Sequence, residues 1–375
     1  MDQHSKAELI NSYRKRYHKA SKSGKGQILS LIMDATGYNR KHIIRALRYD
    51  RHVSKKVTRS RQSKYASIYE PLKRIWTVAN FICGKRLKPF LPLLIESLKQ
   101  HGEIALTVDE EALLLGISSA TIDRLLTPAR KAIGIRGRST TKPGTLLKHQ
   151  ISVKTFADWD DTSPGFLQVD LVAHCKDSTR GEYINTLNMI DVSTGWCAIS
   201  AFMGRSERFC IAAIDEARPS IPFAILGIDS DNGSEFINAH MKRYCERNNI
   251  TFTRGRASKK NDSCFIEQKN WDIVRKMIGY GRLDTYEQLN TLKEIYRRLC
   301  LYQNYFQPSR KLVSKKRIGA RVTKQYDDAQ TPAQRLLARD DIGEKAKQRI
   351  TKTIQTLNPA RLLREINTLI SKLYE

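Results

Sequence analysis

One apolar run constrains this chain more than any other: Phe166-Leu-Gln-Val-Asp-Leu-Val-Ala-His174, which alternates like a strand yet carries an aspartate at its centre. A carboxylate inside an apolar strand is costly unless it is paired or binds a cation. Two more strand-like runs follow, Tyr183 to Asp191 and Trp196 to Phe202, joined at Val192-Ser-Thr-Gly195. Ser206 to Ala217 has a helical pattern, and Ala224 to Asp229 reads as a fourth strand. Ala239 to Asn249 reads as a helix, Thr251 to Thr253 as a short strand, and Phe265 to Ile278 as a helix. Three strands, a helix, then strand–helix–strand–helix describe one α/β domain.

The flanking chain is of another kind. The 375 residues suit two or three domains, and the net charge of +28 calls for a polyanionic partner. That charge is unevenly spread. Residues 1–150 hold 30 basic and 11 acidic side chains, 151–250 hold 9 and 14, and 251–375 hold 27 and 13. An acidic stretch inside a basic protein suits a chain that binds phosphate and also holds metal cations, although an ordinary domain surface would give the same count. No apolar run reaches the ~18 residues of a membrane span. The first 25 residues are polar and basic, without a signal-peptide core. Seven scattered cysteines, never in C-x-x-C, fit reduced thiols in a cytosolic protein rather than a disulfide framework or a Cys-rich zinc site.

Two segments read as helix-turn-helix units. In 107–131, Val108 to Leu115 is a first helix, Gly116-Ile-Ser118 a turn and Ser119 to Leu126 a second helix. Gly116 could take a positive φ there, Ser118 or Ser119 could cap, and Ile122 and Leu125 would bury the second helix. Arg124, Arg130 and Lys131 are available for phosphates. In 25–50, a helix from Gln27 to Ala35 and a turn at Thr36-Gly-Tyr38 lead to a helix carrying Arg40, Lys41 and Arg45. The alternatives are a plain helical hairpin and a solvated basic face. Between them, Ile75, Val78, Ala79, Ile82 and Cys83 recur at helical spacing, as in packing helices. The expected layout is an all-α DNA-binding region over 1–132, a basic linker over 133–155, an α/β core over 156–310, and a basic, largely helical segment over 311–375. Within that last segment, Lys315, Lys316 and Arg317 belong to a strip suited to phosphate. The apolar repeat Leu362, Leu363, Ile366, Leu369, Ile370 and Leu373 marks a helix that packs on its own chain or on a second subunit.

Two further carboxylates stand where a site at a sheet rim needs them. Asp231 follows the fourth strand in Ser230-Asp-Asn-Gly-Ser-Glu-Phe236, and Glu267 lies near the start of a helix, with 35 residues between the two. α/β sites are built beyond the strands' carboxyl ends, and Asn-Gly lets the chain turn away there. Three clustered carboxylates would raise one another's pKa, a penalty that a divalent cation removes. Oxygen-only ligands suit Mg²⁺ or Mn²⁺ rather than zinc, and two such ions suit an in-line phosphoryl displacement. Taken singly, each residue could be a turn former or a helix-dipole partner. Asp229, two residues before Asp231, is the competing candidate, and His174 shares the strand face of Asp170 but reads better as a core histidine.

Asp170, the Ser-Asp-Asn-Gly-Ser-Glu-Phe run and Glu267 resemble the retroviral-integrase and bacterial insertion-sequence transposase superfamily. The runs Lys259 to Trp271, Ala120 to Leu126 and Tyr302 to Pro308 are similar to bacterial insertion-sequence transposases in particular. The resemblance covers about 150–310. It implies a ribonuclease H-like α/β core, a mixed sheet flanked by helices, in which Asp170, Asp231 and Glu267 bind the metal and carry catalysis. It also implies cleavage and strand transfer at the ends of a mobile element, double-stranded DNA as partner, a homo-oligomer on that DNA, no membrane, and a bacterial cytoplasm, at the nucleoid when bound. A His-His-Cys-Cys zinc module is absent from the sequence. Many relatives carry Lys or Arg seven residues beyond the glutamate; here that position is Val274, and Lys259, Lys260, Lys269 and Arg275 are the candidate substitutes. The rival readings are a domesticated DNA-binding regulator and a ribonuclease H-like nuclease without strand transfer.

Overall fold

The computed structural model describes residues 2–48, 64–133, 163–204, 206–230, 239–254 and 269–375. They fall into two compact units, Met1–Lys64 and Tyr65–Glu375.

The first unit holds α1 (Gln3–Lys19), α2 (Lys22–Thr36) and α3 (Arg40–Arg48). Asp2 and Ser21 start α1 and α2 by accepting the backbone N–H of Ser5 and Gly24. Gly37 ends α2 at φ 70°, returning its N–H to Met33. Ile10, Tyr17, Leu29, Ile32, Ile43 and Leu47 make the core. Ile43 and Leu47 lie one helical turn apart, so α3 buries one stripe and leaves Arg40, Lys41, Arg45 and Arg48 exposed.

The second unit begins with α4 (Tyr69–Val78), α5 (Gly84–Gln100), α6 (Val108–Gly116), α7 (Ser119–Leu125) and α8 (Thr127–Ala132). Thr107 and Glu110 form a capping box at α6, and Ser118 caps α7. Gly116 does not take a positive φ: it stays helical, and extended Ile117 makes the turn instead. The sequence groups 1–132 as one helical region, yet α4–α8 share their core with the α/β part. Their apolar stripes are wider than five helices can cover alone. Leu72, Trp76, Leu91 and Leu94 pack in the same cluster as Tyr302, Phe306 and Ile366.

The sheet has the order β3-β2-β1-β4-β5, with β1 (Phe166–Ala173), β2 (Ile184–Asp191), β3 (Cys197–Met203), β4 (Gly227–Ser230) and β5 (Thr251–Arg254). β1, β2 and β3 are antiparallel, while β1, β4 and β5 run parallel, so the sheet is mixed. α9 (Glu207–Ala217) and α10 (Ala239–Arg247) cover one face with Cys210, Ile214, Met241 and Cys245. The 21-residue α12 (Tyr286–Phe306) covers the other. Burial on both faces accounts for the buried run of β2 and β3. Strand β3 lies at the sheet edge, and α12 seals it there: the Asn304 side chain accepts the Cys197 N–H and donates to its carbonyl, both at 2.8 Å.

A π-helical turn, Asn270–Arg275, runs into the short α11 (Lys276–Ile278) ahead of α12. After α12 comes a ribbon of β6 (Leu312–Ile318) and β7 (Arg321–Tyr326), which pairs Lys316 with Thr323 and Arg317 with Val322. Then come α13 (Pro332–Leu337), α14 (Glu344–Thr356) and α15 (Pro359–Leu373). Asn358 caps α15, whose apolar stripe packs on α12 of its own chain.

Candidate active site

Strands β1 and β4 lie side by side and parallel, so their carboxyl ends open on the same rim. Val169 is paired with Ser230. The next residues are Asp170 and Asp231; Asp231, like Glu267, Lys259 and Lys260, lies outside the described residues. Asp170 is half-buried. Its Oδ1 accepts the Leu171 N–H at 2.8 Å, and its Oδ2 accepts Asn270 Nδ2 at 2.6 Å. Asn270 stands three residues after Glu267 in the chain, at the start of the π-helical turn. Asn188 sits opposite Asp170 on β2 and donates to Asn270 Oδ1 at 2.7 Å. The rim of the sheet thus brings Asp170, Asn188 and Asn270 together, with the chain neighbours of Asp231 and Glu267 at the same place.

Sequence reasoning missed the two asparagines. A signal was present: Asn188 interrupts the apolar run Leu187-Asn-Met-Ile190, and a buried amide must find a polar partner. Among the described residues, no three His, Cys, Asp or Glu side chains are grouped to hold a metal. The donor set reached so far is oxygen-bearing, from Asp170, which fits a hard divalent cation.

The competing acidic residues are engaged in structure. Asp229 is buried on β4 and accepts the Thr253 hydroxyl at 2.9 Å. Asp191 is fully buried at the β2–β3 turn, taking the N–H groups of Gly165 and Thr194 and the Thr194 hydroxyl. Burial raises its pKa while those donors pull it back. His174 is wholly buried, with Nε2 2.8 Å from Thr186 Oγ1, which in turn meets Tyr296 OH at 2.5 Å. Burial first, and the Arg275 charge second, push its pKa down to about 4.

The basic candidates are dispersed. Arg40, Lys41 and Arg45 line the exposed face of α3. Lys131 on α8 and Arg124 on α7 are exposed, and Arg124 donates to Thr121. Arg130 pairs with Asp123 at 3.1 Å and lies over the Trp76 ring. Lys269 is half-buried, and desolvation lowers its pKa. Arg275 donates to the Ala173 carbonyl at 2.9 Å and lies 4.9 Å from the Tyr280 ring centre. Residues 315, 316 and 317 fall on β6, where Lys316 and Arg317 are exposed.

Residues 160–260 match the family described as "Integrase core domain". Solved structures similar to the chain include the HTLV-2 integrase catalytic core domain in complex with magnesium in its dimeric form. That likeness has a TM-score of 0.30 at 16% identity over 39% of this chain and 90% of the other. A simian T-cell lymphotropic virus intasome in complex with PP2A regulatory subunit B56 gamma is similar at TM-score 0.29 and 14% identity, over 48% of this chain and 59% of that one. The uncharacterized protein y4rM of Sinorhizobium fredii (strain NBRC 101917 / NGR234) is 38% identical over 333 residues, 88% of this chain and 94% of its own length. The five strands of the mixed sheet lie within the residues that match the integrase core domain, and the chain belongs to the family of that rhizobial protein.

Proposed function

We propose that the protein is a DNA transposase that cuts the 3′ ends of an insertion sequence and joins them to target DNA. The observation that supports this reading is the parallel pairing of Val169 with Ser230, each the residue just before a proposed carboxylate in the chain. Asn270, three residues past Glu267, is hydrogen-bonded to Asp170 at the same rim.

Asp170, Asp231 and Glu267 would hold Mg²⁺ or Mn²⁺, as two ions. When bound, the metal supplies charge to activate an attacking oxygen and to stabilise the leaving one. The chain's own part is positional. Strand β1 presents Asp170 from within the sheet, while Asp231 follows β4 in the chain and Glu267 precedes the π-helical turn by three residues. Water would attack first, and the freed 3′-hydroxyl second. Both steps are in-line displacements, so one site serves both.

The basic excess would grip the DNA. Arg40, Lys41 and Arg45 on α3, and Arg124, Arg130 and Lys131 around α7, belong to two helix-turn-helix units that bind the element ends. Lys259, Lys260, Lys269 and Arg275 are the candidate contacts near the cut. Lys315, Lys316 and Arg317 on the ribbon would follow the phosphate backbone. Joining two ends calls for a homo-oligomer on DNA, working at the nucleoid of a bacterial cytoplasm.

Labelled element ends incubated with Mg²⁺ test the reading. Wild type gives joined products, while Glu267→Gln gives neither cleavage nor joining and keeps end binding. Cleavage without joining would indicate a nuclease, and binding alone a regulator. Joining by the Glu267→Gln variant at the wild-type rate would refute the assignment.

A further inference from the structure

The asparagine pair at the rim has a fixed sense. The ionised Asp170 carboxylate can only accept, so the atom of Asn270 facing it at 2.6 Å must be the donor Nδ2. Asn270 then presents Oδ1 on its other side, and Asn188 must meet it with its own donor, at 2.7 Å. Asn188 Oδ1 is left buried and without a hydrogen-bond partner among the described residues. A group that served only to fill the core would avoid that penalty, because an apolar side chain of similar shape could pack beside Ile190 and Ile199 on the same face without it. The chain Asn188–Asn270–Asp170 therefore spends stability on orientation. It also crosses elements: it ties strands β1 and β2 to a π-helical turn, a local departure from α-helix often found where a side chain must be re-aimed.

We propose that Asn270, held by Asn188, is a positioning residue for metal binding: it fixes the Asp170 carboxylate before the cation arrives. The inference rests on the metal-binding reading of Asp170. Partners that orient a ligand in this way contribute to affinity without touching the metal.

The test uses the full chain as wild type, Asn270→Ala, Asn188→Ala, the double variant, Asp170→Asn and Leu94→Ala, a core change on α5. Mn²⁺ affinity is measured by calorimetry, and the thermal transition is measured without metal. Asn270→Ala should weaken Mn²⁺ binding roughly 10- to 100-fold. Asn188→Ala should weaken it less, and the double variant no more than Asn270→Ala, because Asn188 acts only through Asn270. Leu94→Ala should lower the transition and leave Mn²⁺ affinity unchanged, which separates orientation from stability. Wild-type Mn²⁺ affinity in Asn270→Ala, or losses that simply add in the double variant, would overturn the inference. If Asp170→Asn itself binds Mn²⁺ as wild type does, the metal-binding reading fails as well.

Discussion

Glu103 and Arg364 are 261 residues apart in sequence and meet as a two-pronged ion pair, Nη1 to Oε2 at 2.9 Å and Nη2 to Oε1 at 2.7 Å. Asn358 adds a third donor to Oε1 at 2.7 Å. The loop after α5 is thereby fastened to the start of α15. The Arg364 hydrogen bond, then that of Asn358, holds the Glu103 carboxyl at about 2 against an ordinary 4.5. A carboxylate with a depressed folded pKa contributes stability above about 4.5, and this is lost as pH falls toward 2. Because Arg364 is largely exposed, Glu103→Gln should cost only about 1 kcal/mol at pH 7. Urea midpoints of the two proteins should differ at pH 7 and converge near pH 2.5.

His174 carries the opposite charge type but gives the same sign. Its pKa is about 4 when folded and 6.5 when solvated, so the unfolded chain takes up the proton first. Its stability contribution is complete above 6.5 and drains away as pH falls to 4, on the order of 3 kcal/mol in all. In His174→Gln, the fall in unfolding free energy between pH 6.5 and 4 should be shallower than in wild type. Parallel curves would show that His174 does not carry the effect.

Gly84 lies against the backbone of α7. A Cβ there would stand 2.2 Å from the Ser119 carbonyl oxygen, which belongs to a helix and cannot swing aside. Gly84→Ala should cost about 3 kcal/mol by forcing α5 and α7 apart. Gly26, inside α2, has nothing within 4 Å of its Cβ position. There the same change should stabilise the first unit by about 0.5–1 kcal/mol, because alanine restricts the unfolded chain and favours helix. Chemical denaturation of both variants checks the pair.

Asn304→Ala should leave the Cys197 N–H and carbonyl buried without partners at the β3 edge. Two unmet backbone groups predict a loss of at least about 2 kcal/mol. Amide exchange of Cys197 should accelerate in the variant while that of Leu187, inside β2, follows global stability. Unchanged exchange at Cys197 would mean that the edge is sealed by something other than this side chain.

Much of the sheet was legible. The alternation of Phe166 to His174 places β1 to within a residue, and Asn249, held at φ 54°, punctuates α10 before β5. The cap at Ser118 was equally readable, because a short side chain must meet free N–H groups there. The stretch around Arg317 read only as a basic strip, since cations mask the alternation of Val313 and Val322; pairing reveals the ribbon. Asp170 stood out as a candidate because a charge in an apolar strand needs a reason. Asn188 and Asn270 were not, because an amide's partner can come from anywhere in the chain, here 82 residues away.

The core shared by α4–α8 and α12 has a consequence for DNA geometry. Ile122 of α7 and Tyr302 lie in one apolar cluster, and α7 and Asp170 belong to one compact unit. Such a body is a ruler: base pairs held by α7 would lie a set number of helical steps from the bond being cut. The α1–α3 unit has its own core. On the proposed reading, inserting a half-turn of DNA between base pairs held by α7 and the cleavage point should therefore silence an end.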